Sequence, residues 1–263
     1  MVSFHVNITE IAVLLAILLR VSIILFLVPV FAGHQVPGTV KALVTVALGW
    51  MMYGLVRHSV NPLPFEISSL LWIVLGEVVL GAFLALATLM VFAGFQLAGE
   101  LISFQMGFGF AQSVDPQNGV SMMTLSRWFQ IVATLIFFGM NGHHTIISGI
   151  AESFRQIPMG GFSTDTTMLH HLLTLSRQLL VIGIKLSAPI TVTILISQLG
   201  LGLASKYAPQ VNILASVFPL TILLGFLFIG ISASLWGEVM GGYLGTMLRI
   251  VEEWLKFPKA VAL

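Results

Sequence analysis

Three apolar runs in this chain are longer than a bilayer is thick. Ile67–Ala98, Leu169–Ser205 and Val211–Ile250 extend for 32, 37 and 40 residues with few charges to interrupt them. A helix crosses the hydrocarbon layer, about 30 Å, in about 20 residues at 1.5 Å per residue. Wholly helical, the three runs would reach roughly 48, 55 and 60 Å. They must therefore tilt, break, or project into surroundings made of protein rather than lipid. The second and third are joined only by Lys206–Gln210, so they form one long antiparallel hairpin, with Pro189 and Pro219 expected to kink or loosen its arms.

Composition places the whole chain in the membrane class. Of its residues 57% are hydrophobic and 8% charged, against roughly a quarter charged in a soluble domain. Eleven basic and ten acidic side chains cannot cover a water-facing surface. The net charge of +1 and the absence of a basic cluster give no sign of nucleic acid. With no cysteine, a disulfide framework, a thiolate metal site and a thiol nucleophile are all excluded.

Three further apolar blocks, Glu10–Ala32, Thr39–Val56 and Arg127–Ala151, bring the number to six. The connectors "RHSVNPLPFE" and "QIPMGGFSTDTT" read as turns, because proline cannot continue a helix ladder. The N-terminus has no basic residue before its apolar run, so it does not read as a cleavable signal. Asn7 with Glu10 resembles a helix start. Arg249, Lys256 and Lys259 favour a cytoplasmic C-terminal tail and an N-terminus on the other side. Six simple crossings would leave both ends on one side, so at least one block is not an ordinary crossing.

Charges inside apolar runs are the candidates for specific contacts. Arg20, Glu77, Lys185 and Glu238 each interrupt a run, and Glu100 closes one. At mid-membrane each costs roughly 2.5–3.5 kcal/mol, so each should face protein or water. Pairing between helices or subunits accounts for them, and a proton relay is the sharper alternative. Recurring glycines, among them Gly76, Gly81, Gly94, Gly99 and Gly225, with Gly237, Gly241 and Gly245 at small-xxx-small spacing, indicate close helix–helix approach.

One stretch fits neither helix nor solvent loop: "SFQMGFGFAQSVDPQNGVSMM", Ser103–Met123. "GFGF" lacks the third glycine and the βαβ setting of a dinucleotide fingerprint. Elsewhere, "NGHH" at Asn141–His144 puts two histidines side by side without further ligands, and reads as a polar helix end or subunit contact. His170–His171 reads likewise as part of a helix start. No nucleophile, base and orienting group can be assembled, so neither an enzyme nor a metal or cofactor site is expected.

The residues become specific in the long hairpin. "IKLSAPITVTILISQLGLGLASKYAPQVNILASVFPLTILLGF", Ile184–Phe226, resembles the FliR family of flagellar export proteins, which shares this pattern with the T proteins of virulence type III secretion systems. Lys185, Ala188-Pro189, Gly200, Ala208-Pro209-Gln210 with Asn212, and Phe218-Pro219 carry the match, as do Val114–Pro116 and "FFGMNGHHTIISGIAESFRQIPMG". Lys206 departs from the Arg of many relatives, keeping charge but losing bidentate pairing.

The resemblance implies an all-α integral membrane protein of long kinked helices and hairpins, built into a helical export-gate assembly. Residues 1–168 would be a FliP-like part containing the loop 103–123, residues 169–250 a FliQ-like hairpin, and 251–263 a cytoplasmic tail. Its implied partners are FliP and FliQ, with FlhB and FlhA nearby, membrane lipid, and unfolded flagellar export substrates. It would sit in the bacterial inner membrane within the flagellar basal body, partly raised toward the periplasm. The stretch 103–123 would be a pore plug carried by Met106, Gly107, Phe108, Gly109, Phe110, Asp115 and Pro116, the bland alternative being a buried connector. Irregular backbone at membrane depth survives only against protein or a cavity, and Met and Phe make a deformable apolar seal. Glu77, Glu100, Asn141, His143, Lys185, Lys206, Gln210, Asn212 and Glu238 are the expected intramembrane or inter-subunit polar contacts. A proton-coupled secondary transporter using Glu77, Glu100 and Lys185 is the competing class, though no inverted repeat supports it.

Overall fold

The computed structural model describes residues 8–32, 36–56, 67–108, 120–162, 167–207 and 213–256. Among these residues there are eight helices and no strand. They are α1 (Ile8–Leu27), α2 (Pro29–Ala32), α3 (Gly38–Val56), α4 (Ile67–Gln105), α5 (Val120–Gly139), α6 (Gly142–Gln156), α7 (Thr167–Tyr207) and α8 (Ile213–Lys256). By length and composition α1, α3, α4, α7 and α8 can each cross a membrane. The protein is an all-α integral membrane protein.

The apolar blocks and the helices differ in two instructive places. α4 does not stop at Ala98 but continues to Gln105. Gln96 and Glu100, four residues apart, hydrogen bond at 3.1 Å, and Glu100 sits inside the helix rather than at its end. The block Arg127–Ala151 is two helices, α5 and α6. The break falls on Met140-Asn141, where Asn141 adopts φ 57°, ψ 31°. That left-handed conformation suits asparagine and cannot continue a right-handed helix. α7 and α8 have 41 and 44 residues and run unbroken through Pro189 and Pro219.

The helices form two compact units. The first comprises Met1–Leu89, Asn141–Leu175 and Gly245–Leu263. In it α1 packs on α3 and α3 on α6. A β-carbon added at Gly49 would lie 2.5 Å from Leu18, and one at Gly81 3.1 Å from the Arg20 carbonyl, so small residues set both approaches. Between apolar helices in lipid such contact packing replaces the hydrophobic effect as the force of association. Ile17, Val21, Ile24 and Phe154 fill this core, and the rings of Phe83 and Trp254 stack 4.0 Å apart.

The second unit comprises Met90–Met140 and Ser176–Leu244. α5 lies so close to α4 that a β-carbon on Gly99 would sit 2.8 Å from the Ser126 Cα. Gly94 receives Ile182 of α7, and Leu97 in return fills the space at Gly183. Phe92, Phe95, Phe129, Phe137 and Trp236 are fully buried in this unit, with Phe129 and Trp236 rings 4.9 Å apart. The arms of the long hairpin meet where Lys185 Nζ stands 5.9 Å over the Tyr243 ring.

Candidate functional site

The end of α4 is fastened by three independent contacts within the second unit. Met106, just past the helix, is fully buried, and its thioether occupies the space where Gly225 of α8 lacks a side chain. Its carbonyl, an acceptor that the helix end leaves open, lies 3.1 Å from Thr221 Oγ1, whose single proton it shares with the Phe218 carbonyl at 3.1 Å. Gln198 Nε2 of α7 donates to the Gln105 carbonyl at 3.5 Å. The polypeptide then turns at Gly107, whose φ of +90° is a region that side chains disfavour. The ring of Phe218 covers the α-carbon so closely that a β-carbon would meet it at 2.5 Å. Glycine is required there twice, by conformation and by contact.

Phe108 lies beyond this turn, half-buried, on a cavity of about 310 Å³ that it shares with Thr124, Leu125, Trp128 and Phe226. Met106 and Phe108 therefore have different surroundings, although both are apolar and only two residues apart. The first is fixed in the protein; the second stands at the mouth of an apolar hollow. Gly109, Phe110, Asp115 and Pro116 lie outside the described residues, as do Gln210 and Asn212.

In the first unit the two charges most deeply placed in apolar sequence find each other. Arg20 Nε donates to Glu77 Oε2 at 2.5 Å and its NH2 nitrogen to Oε1 at 2.9 Å, with side chains 0% and 1% exposed. This fork-to-fork geometry is the strongest form of the ion pair. The guanidinium also donates to Ser153 Oγ at 3.1 Å and to the Ile157 carbonyl at 3.4 Å. Its flat face lies 4.0 Å from the centre of the Phe154 ring. One side chain thus joins α1, α4 and the C-terminal end of α6. The segment after α6 lies against α4 as well, because Gly76 leaves room for Phe162 and Gly160 for Ile73.

The other expected polar contacts are more open. Glu100 is exposed and, among the described residues, receives only the Gln96 amide. Asn141 is exposed at the head of α6, and the half-buried His143 ring lies 4.3 Å from that of His144. Lys185, Lys206 and Glu238 are exposed, and no basic group among the described residues reaches Glu238. Lys185, Tyr243 and Glu238 belong to one unit, but the ammonium faces the tyrosine ring rather than the carboxylate. The described residues hold no cluster of three potential metal ligands.

Two features escaped reading from sequence. Arg20 was conspicuous as a charge inside an apolar run, but its acid lies 57 residues away, and a single sequence carries no signal of that distance. Thr221 belongs to an apolar helix, and its importance appears only when Met106 is placed against it.

The long apolar helices, the neutralised internal charge and the fastened glycine turn define a multi-helix protein built to hold polar groups within a membrane. Residues 11–247 match the family described as bacterial export proteins, family 1. The flagellar biosynthetic protein FliR of Pectobacterium carotovorum is 31% identical over 217 residues, covering 81% of this chain and 80% of that protein. FliR of Escherichia coli K12 is 31% identical over 210 residues, covering 79% of each chain. FliR of Aquifex aeolicus is 27% identical over 241 residues, covering 90% of this chain and 91% of its own. The chain belongs to this family of bacterial export proteins. It is a membrane-embedded flagellar protein with a role in flagellar export.

Proposed function

We propose that this chain is a core subunit of the flagellar type III export gate, forming with FliP and FliQ the pore through which unfolded flagellar proteins pass. FlhB and FlhA are its further neighbours in this reading, in the bacterial inner membrane at the flagellar basal body, partly raised toward the periplasm. Residues 1–168 act as the FliP-like part and 169–250 as the FliQ-like hairpin, followed by the tail 251–263. Helices of 39, 41 and 44 residues support such an arrangement, because each exceeds what lipid alone can cover.

The observation that carries the gate reading is the contrast across Gly107. On one side Met106 is held by Gly225 and Thr221; on the other, past a glycine-only turn, Phe108 borders an apolar cavity rather than filling the core. A plug requires this division between a fixed stem and a part able to move. Gly109, Phe110, Asp115 and Pro116 complete the plug in this reading, their apolar side chains sealing against water and ions and yielding to the exported chain. Met106 then serves as the stem's anchor rather than as part of the seal. Lys185, Lys206, Gln210, Asn212 and Glu238 face neighbouring subunits, and Asn141 and His143 hold the head of α6.

The test is deletion of residues 109–117 with Met106 and Gly107 kept. A leaky membrane with flagellin export at least partly retained is expected. Unchanged ion permeability in a complex that assembles overturns the plug.

A further inference from the structure

Two acids on α4 are treated in opposite ways. Glu77 is buried and receives two donors of one guanidinium. Glu100 is exposed, and its carboxylate meets only a neutral amide among the described residues. Around Glu100 the other faces of α4 are covered: Gly99 by α5, Gly94 and Leu97 by α7, and Met106 by α8. What remains bare is one stripe, Gln96, Glu100 and Phe104, four residues apart and therefore on one helix face. Phe108 lies past the Gly107 turn, off this helix face, on the cavity lined by Thr124, Leu125, Trp128 and Phe226.

A carboxylate with no counter-charge is unfavourable against lipid, so this face meets water or protein. The chain neutralises the acid that it buries, at Glu77, and among the described residues leaves Glu100 without a counter-charge. The stripe ends at Phe104, three residues before the Gly107 turn that leads into the candidate plug. That nearness favours an aqueous wall over a partner's basic side chain.

We infer that the Gln96–Glu100–Phe104 face lines the water-filled conduit leading to the plug, with Glu100 as its cation-selecting group. The inference rests on the pore reading above. Acidic side chains on a pore wall raise the local cation concentration and exclude anions. The matching ligands are monovalent cations and, during export, the basic side chains of a passing chain.

Because the chain has no cysteine, Glu100→Cys, Phe104→Cys and the buried control Ile102→Cys each introduce one reporter. A membrane-impermeant thiol reagent is applied from both sides to the full export complex, with the unsubstituted chain giving the background. Positions 100 and 104 are expected to react at least about tenfold faster than position 102, since accessible thiols react and buried ones are inert. An unreactive position 100 in an assembled complex overturns the inference.

A second measurement uses the complex lacking residues 109–117. There Glu100→Gln should lower the cation-to-anion permeability ratio by at least about threefold, while Glu100→Asp preserves it. A leak of unchanged selectivity overturns the assignment. So does loss of assembly on Glu100→Gln that a charge swap with a partner's basic residue repairs. Absence of any leak in the parent deletion counts against the plug instead, and the thiol rates still decide the place of Glu100.

Discussion

Replacing Arg20 by methionine is the most demanding test of how this membrane chain handles its internal charge. The substitution keeps an unbranched apolar stem and removes every donor of the guanidinium. Glu77 then loses bonds of 2.5 and 2.9 Å while remaining 1% exposed. An uncompensated buried partner of this kind costs about 3–5 kcal/mol, or about two to three and a half powers of ten in the folding equilibrium. Ser153 keeps its bond to the Ile150 carbonyl at 2.7 Å, so the damage centres on the carboxylate. Glu77→Met alone leaves the arginine stranded and should be comparably harmful. The double variant Arg20→Met with Glu77→Met removes both charges together. Its cost should fall to about 1–3 kcal/mol, from the hydrogen bonds to Ser153 and Ile157 and from imperfect repacking. The double-mutant cycle, read by thermal unfolding of the detergent-purified complex and by protein level in membranes, should show coupling of about 2 kcal/mol or more. Additive losses would refute the reasoning, because they would mean that neither charge depends on the other.

The end of α4 yields three further expectations. Gly107→Ala puts a β-carbon at positive φ and 2.5 Å from the Phe218 ring, so motility should fall and ion leak rise. Phe218→Ala should relieve the clash but only part of the defect, since the backbone strain remains; full recovery of motility would show that φ is unimportant. Gly225→Leu should displace Met106 and destabilise the complex in thermal unfolding, and adding Met106→Ala should recover part of the loss. Thr221→Val keeps shape and removes the donor to the Met106 carbonyl, for a cost of about 1–3 kcal/mol if that acceptor stays dry. Its signature should be increased ion leak at normal protein level in the membrane.

The helical architecture was legible because apolar run length is a direct consequence of the bilayer, and α1, α3, α7 and α8 lie close to the blocks read from sequence. The block Ile67–Ala98 fell short of α4 because Glu100, a charge closing an apolar run, resembles a boundary. Within the helix that acid is matched by Gln96 one turn earlier, and the apolar period resumes at Leu101, Ile102 and Phe104. The break between α5 and α6 was half legible: "NGHH" reads as a polar helix end, yet it sits inside the apolar block Arg127–Ala151, and only the conformation of Asn141 decides that the helix stops there. The glycines show the same limit. Gly94, Gly99 and Gly225 each receive a neighbour within 3 Å of a would-be β-carbon, whereas Gly237 and Gly245 meet none among the described residues. Spacing alone does not separate the two groups. At the candidate plug, Ser103–Met123 read as irregular throughout, yet Ser103–Gln105 belong to α4 and Val120–Met123 to α5, and the division at Gly107 depends on Thr221, Phe218 and Gly225 from more than a hundred residues away.

With Gly107 separating a fixed stem from a moving seal inside an export pore, a density map of the assembled complex with its neighbouring subunits should show residues 109–117 crossing the central axis, with Met106 off the axis beneath Gly225. A map that places those residues on the outer, lipid-facing surface, or Met106 itself on the axis, would contradict that division.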